Sequence, residues 1–134
     1  MPLHWKIAPL ERMVVCVSEG VVTRDELMAY FKALDEAGAA RYRKLLDANG
    51  AECHLSAEDV AELAAYAKSL GGDGTPGPLA IFTGSSGNDD FVRTVSTMLR
   101  PGRRLRTFST IHAARRWLDR APLGDRFERR PAAR

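Results

Sequence analysis

The chain has 134 residues, with 20 basic and 17 acidic side chains, a formal net charge of +3 and 45% hydrophobic residues. That length suits one domain burying roughly two thirds of its unfolded surface, and no apolar run approaches the roughly 18 residues of a membrane span. The N-terminus lacks the basic-then-apolar order of a signal peptide, so a cytoplasmic protein without an integral membrane segment is expected.

Residues 4–10 read as a first strand, pairing antiparallel as a hairpin with a second over 13–18; Pro9 suits a strand end. The run MVVCV is apolar at successive positions, as in strands covered on both faces, and Cys16 within it reads as a small buried hydrophobe. Thr23-Arg24-Asp25-Glu26 is a capping box, and Leu27, Tyr30, Phe31 and Leu34 follow at helical spacing before Gly38 stops the helix. A third strand over 43–47 ends on Asp47, and Asn49-Gly50 lies in the loop after it. Ser56 opens a second helix with Asp59 at its third position, Val60, Leu63, Ala64 and Ala67 on one face and Gly71-Gly72 at the end.

The stretch GGDGTPGP, 71–78, is a loop within the domain, because the strand over 79–83 must still complete the sheet. TGSSGNDD, 83–90, leads into a third helix over 88–99 that presents Phe91, Val92, Val95, Met98 and Leu99 before Pro101-Gly102. A fifth strand spans 105–108, and a fourth helix starts near Thr110, buries Ile111, Ala114, Trp117 and Leu118 and stops before Pro122. The order ββαβαβαβα describes an α/β domain over 1–121, with a mixed four- to five-stranded sheet, an N-terminal hairpin and four helices. Residues 122–134 read as a loosely held Arg-rich tail.

Charge is unevenly placed. Residues 100–134 hold eleven arginines and three acidic residues, a net +8, leaving −5 for the first 99. Only Phe108, Trp117 and Phe127 interleave those arginines, too few to form stacking platforms, which argues against nucleic-acid binding. Cys53 precedes His54, but adjacent residues on an extended chain point to opposite faces, so joint action on one atom is awkward. His4, His54 and His112 share no metal-ligand spacing, and no metal or cofactor is implied.

KLLDANG followed by the Ser56 helix, and RLRTFSTIHAARRWL, resemble the SpoIIAA-like family, also described as STAS/SEC14-type domains. The resemblance runs over about residues 3–118 and implies a mixed sheet packed by helices. In the anti-sigma-factor antagonists of that superfamily, the corresponding helix begins with a serine that a partner kinase phosphorylates in a D-S-S-G-like stretch. Here the stretch is L-S-A-E, so Ser56 is the nearest hydroxyl and Leu55 stands where an acidic residue is expected. A phosphate at a helix N-terminus is stabilised by the dipole and free N–H groups, and its charge alters docking. The plainer reading of Ser56 is an N-cap.

Six residues form the candidate regulatory or binding set: Asp47, Asn49, Ser56, Ser85, Ser86 and Asn88. All should emerge at the carboxyl edge of the parallel strands, where ligands of open α/β sheets sit. Asp47 could orient a ligand or cap adjacent backbone. The loop with Ser85, Ser86 and Asn88 offers N–H groups for an anion but lacks a P-loop's lysine and spacing, and Asp89-Asp90 opposes phosphate. A response-regulator receiver would need an acidic pair after its first strand and a lysine after its last, where this chain has Ser18-Glu19 and Ser109-Thr110.

The leading expectation is therefore a non-enzymatic regulatory domain acting through a protein partner or a homodimer. The alternatives are a SEC14-like carrier of a small apolar ligand or lipid, which calls for a cavity of several hundred Å3, and an enzyme, for which no nucleophile, base and orienter assemble.

Overall fold

The computed structural model describes residues 3–70, 76–84, 88–99 and 104–121. Ser85 and Ser86, residues 71–75 of the glycine-rich loop and the tail over 122–134 lie outside the described residues. Alternating burial along the first two segments produces the hairpin of β1 (Leu3–Ala8) and β2 (Met13–Val22), in register from Leu3↔Ser18 to Ala8↔Met13. β1 stops at Ala8 rather than at residue 10. Pro9 cannot donate to a ladder, its carbonyl accepts the Arg12 N–H at 3.2 Å, and Arg12 turns the chain with φ 53°.

β3 (Arg43–Cys53), β4 (Leu79–Phe82) and β5 (Leu105–Phe108) add parallel to β2, giving a five-stranded sheet in the order β1-β2-β3-β4-β5. Helices α1 (Arg24–Glu36), α2 (Ala57–Ser69), α3 (Asp89–Met98) and α4 (Ile111–Arg120) complete the expected ββαβαβαβα order. Thr23 and Ser56 each close a full capping box, with Glu26 and Asp59 respectively.

On one side of the sheet, Leu3, Val14, Cys16, Leu79 and Ile81 meet Leu27, Phe31 and Leu34 of α1, Leu63 of α2 and Phe91, Val95 and Met98 of α3. Trp5 packs on Tyr30 with ring centroids 5.5 Å apart. Burial pushes the Cys16 thiol up to about 12. Arg24 at the start of α1 forks onto Glu62 of α2 with bonds of 2.9 and 2.7 Å, and this pairing holds the Glu62 carboxyl below its ordinary value. On the other side, α4 sets Ala114 and Leu118 on Leu45 and Ala80, while Trp117 leans on Phe108 at 5.8 Å. The Lys44 ammonium, buried between strand and α1, donates to the carbonyls of Ala40 at 2.7 Å and Tyr42 at 2.9 Å.

Leu63 is fully buried and joins α2 to the larger core. Leu63→Ala should lower unfolding free energy by about 2–5 kcal/mol, read from a urea midpoint shift at unchanged slope. A loss below about 1 kcal/mol would mean that α2 packs more loosely than described.

Candidate functional site

β3 does not end at Asp47. It continues to Cys53, with Asn49 and Gly50 inside the strand rather than in a loop. The reason is β2, which also runs past the expected end at residue 18 and pairs Glu19–Val22 with Gly50–Cys53. Register shifts between Val17↔Asp47 and Glu19↔Gly50, so Ser18 alone on β2 stands against Ala48 and Asn49 on β3. This is a β-bulge, and it absorbs the Asn-Gly pair that otherwise favours a turn. Ser18 is buried there, and its hydroxyl donates to the Asp47 carbonyl at 3.2 Å.

β4 ends opposite Asp47, at Phe82. β3 therefore outruns β4 by six residues, and no strand among the described residues pairs with this overhang on the side away from β2. Asn88 partly takes β4's place. It adopts the left-handed region (φ 41°, ψ 53°) ahead of α3, makes no side-chain cap to that helix, and donates its amide to Ala48 O at 2.8 Å and Ala51 O at 2.9 Å. A turn-and-cap role for Asn88 thus gives way to sealing two strand carbonyls, because unpaired carbonyls beside a core need a donor.

The Asp47 carboxylate accepts the Asn49 N–H at 3.1 Å, the backbone-capping alternative for that residue. The Asn49 side chain lies over Gly84, where φ is +71° and any Cβ would collide with it, so only glycine fits. Asn49, Gly50, Ala51, Glu52, Asn88, Asp89 and Asp90 line an open polar groove of about 510 Å3. Its rim is acidic, with Glu52 3.4 Å from His54 and Asp90 3.3 Å from Arg93. Among the described residues, no three His, Cys, Asp or Glu side chains converge to hold a metal ion.

The structure thus brings Asn49 and Asn88 together, with Asp47 tied to Asn49. Ser56 stands apart from the groove lining. It is exposed at the α2 N-cap, where its Oγ accepts the Asp59 N–H at 3.0 Å and its N–H bonds Asp59 Oδ2 at 3.3 Å. Glu52 joins the groove because β3 is long, which ending the strand at Asp47 conceals; the usable signal is the apolar pair Val21 and Val22 continuing β2.

A second, apolar cavity of about 70 Å3 lies between the sheet and α1, α2 and α3, bordered by Cys16, Tyr30, Phe31, Leu46, Phe91 and Met98. Lys44 also lines it.

Neither a family model nor a curated protein matches the chain. Among solved structures, it is similar to an uncharacterized protein of the DUF3478 family with a SpoIIAA-like fold from Shewanella loihica PV-4. The TM-score is 0.55 at 16% sequence identity, over 87% of this chain and 91% of that one. At that identity the likeness concerns the fold, and the chain has the SpoIIAA-like architecture.

Replacing Asn88 separates its backbone role from its side-chain role. Asn88→Gly keeps the left-handed conformation accessible but loses both amide bonds, and should cost about 1–3 kcal/mol in chemical denaturation. Asn88→Ala adds backbone strain and should cost more. Equal stability of wild type and Asn88→Gly would show that the two carbonyls do not depend on this amide.

Proposed function

We propose that the chain is a non-enzymatic regulatory domain that binds a protein partner at the carboxyl edge of its sheet, through the groove along the β3 overhang. The observation that carries this reading is that β3 outruns β4 and leaves one side of Gly50–Cys53 without a strand. Such edges recruit extended segments through main-chain bonds. The rim of Glu52, Asp89 and Asp90 favours a segment carrying basic side chains.

Ser56 supplies a regulatory input to the same end of the molecule, in the manner of STAS-type antagonists. Its hydroxyl is exposed at a helix N-terminus, where a phosphate gains from the helix dipole and would add negative charge beside a charged interface. The cytoplasm is the compartment this reading requires, and a homodimer is one form the partner could take.

The cavity supports a second reading, that of an apolar-ligand carrier. Its volume of about 70 Å3 is far below the roughly 300–1,000 Å3 of ligand pockets, so α1, α2 and α3 would have to part from the sheet to admit a lipid. Native mass spectrometry of the purified full-length chain separates the two: a stoichiometric apolar adduct favours the carrier, and its absence favours the partner-binding reading.

Glu52→Lys combined with Asp89→Lys reverses the charge of the groove rim without touching a core residue. In a quantitative pull-down, this double variant should retain the partner captured by wild type at least about tenfold less well, equivalent to ~1.4 kcal/mol. Unchanged capture, with the fold verified by circular dichroism, would remove the groove from the interface.

A further inference from the structure

We infer that the strip of sheet beside α4 is a docking lane for one amphipathic helix of a partner protein, with acidic residues flanking its apolar face. The surface is distinct from the β3 groove. Along the strands on α4's side, three rows run across the sheet: Ala8, Met13, Arg43; then Lys6, Val15, Leu45; then His4, Val17, Asp47. α4 packs across β3, β4 and β5. Val15 and Val17 on β2 and Phe82 on β4 are half-buried yet belong to neither core cluster.

The run MVVCV is apolar toward both faces. Toward the three-helix side, Val14 and Cys16 are covered; toward the α4 side, Val15 and Val17 lie beyond that helix. The strip over β1 and β2 is two strands wide, about 10 Å at ~4.8 Å per strand. One helix is about 10–12 Å across, so the strip has room for a single helix beside α4.

The walls of the lane determine its occupant. On α4, Trp117 leans toward Phe108 of β5, which puts Ile111 and Arg115, on the opposite flank, toward β2. Ile111 is 37% exposed, a large apolar side chain at the lane's border. Arg115 on this wall and His4 and Lys6 on the other are all exposed, while Asp47 is the one acidic side chain in the three rows. An apolar floor between basic walls suits a helix with an apolar stripe and acidic flanks.

The chain's own tail fits less well. Residues 122–134 carry four arginines against Asp125 and Glu128, the same sign as the walls. A second copy fits less well too, because the buried residues of α1, α2, α3 and α4 are already committed to its own sheet.

The test uses the full-length chain, 15N-labelled, and two lactam-stapled 14-residue amphipathic peptides of identical Leu/Ala apolar face, one flanked by Glu and one by Lys. The Glu-flanked peptide should shift the amides of Lys6, Val15, Val17 and Ile111, and the Lys-flanked one should bind at least about tenfold more weakly. Lys6→Glu with Arg115→Glu, both at exposed positions, should invert that preference, and Val17→Glu should abolish binding of either peptide. No shift in the lane, or equal binding of the two peptides, would overturn the inference. So would lane amides that move with protein concentration, which assigns the lane to a second copy, or on Leu123→Asp with Phe127→Asp in the absence of peptide, which assigns it to the tail.

Discussion

The parallel ladder between β2 and β3 sets the position of every other element. It runs from Met13↔Arg43 to Val22↔Cys53, more than twice the length of the β3–β4 and β4–β5 ladders, and it carries one register shift. At that shift, the Ser18 hydroxyl supplies a donor to the Asp47 carbonyl where the regular pattern is interrupted. Because β2 and β3 continue together past the bulge while β4 stops at Phe82, the carboxyl edge is stepped rather than level. The step creates the overhang, the need for Asn88 to seal two carbonyls, and the groove beside them.

The same ladder explains why the two sides of the sheet differ. Toward α1, α2 and α3, the alternate residues of β2 and β3 enter the larger core. Toward α4, the core is confined to β3, β4 and β5, with Leu45 and Ala80 under Ala114 and Leu118. The arginine excess of the C-terminal part has a structural share in this arrangement. Arg104 sits 5.7 Å over the Trp117 ring and Arg106 5.5 Å over Phe108, so two of those charges lie on aromatic faces along the edge strand β5. Charged side chains on an edge strand also discourage unwanted strand pairing.

Helix positions were legible because their signals are local. Thr23 with Glu26 and Ser56 with Asp59 are caps whose bonds span three residues, and the structure contains both. The element order was legible for the same reason, since each apolar run is bounded by its own turn chemistry. The length of β3 was not. Asn49-Gly50 is a strong turn signal, and only the partner strand, thirty residues away in sequence, overrides it by pairing Gly20 with Ala51 and Val22 with Cys53. Asn88 shows the same limit: a polar residue before a helix reads as a cap, but its acceptors at Ala48 and Ala51 lie about forty residues earlier. Of the candidate set, Asn49 and Asn88 meet, Asp47 supports Asn49, and Ser56 faces solvent on its own helix.

The account rests on β3 continuing through Asn49 and Gly50 as a strand paired with β2. Interstrand nuclear Overhauser effects on the labelled full-length chain test this directly. Contacts between the backbones of Gly20 and Ala51, and of Val21 and Glu52, are predicted alongside those of Val15 with Leu45. Contacts that stop at Val17 and Asp47, with loop-like couplings from Asn49 onward, would contradict the stepped edge and the groove built on it.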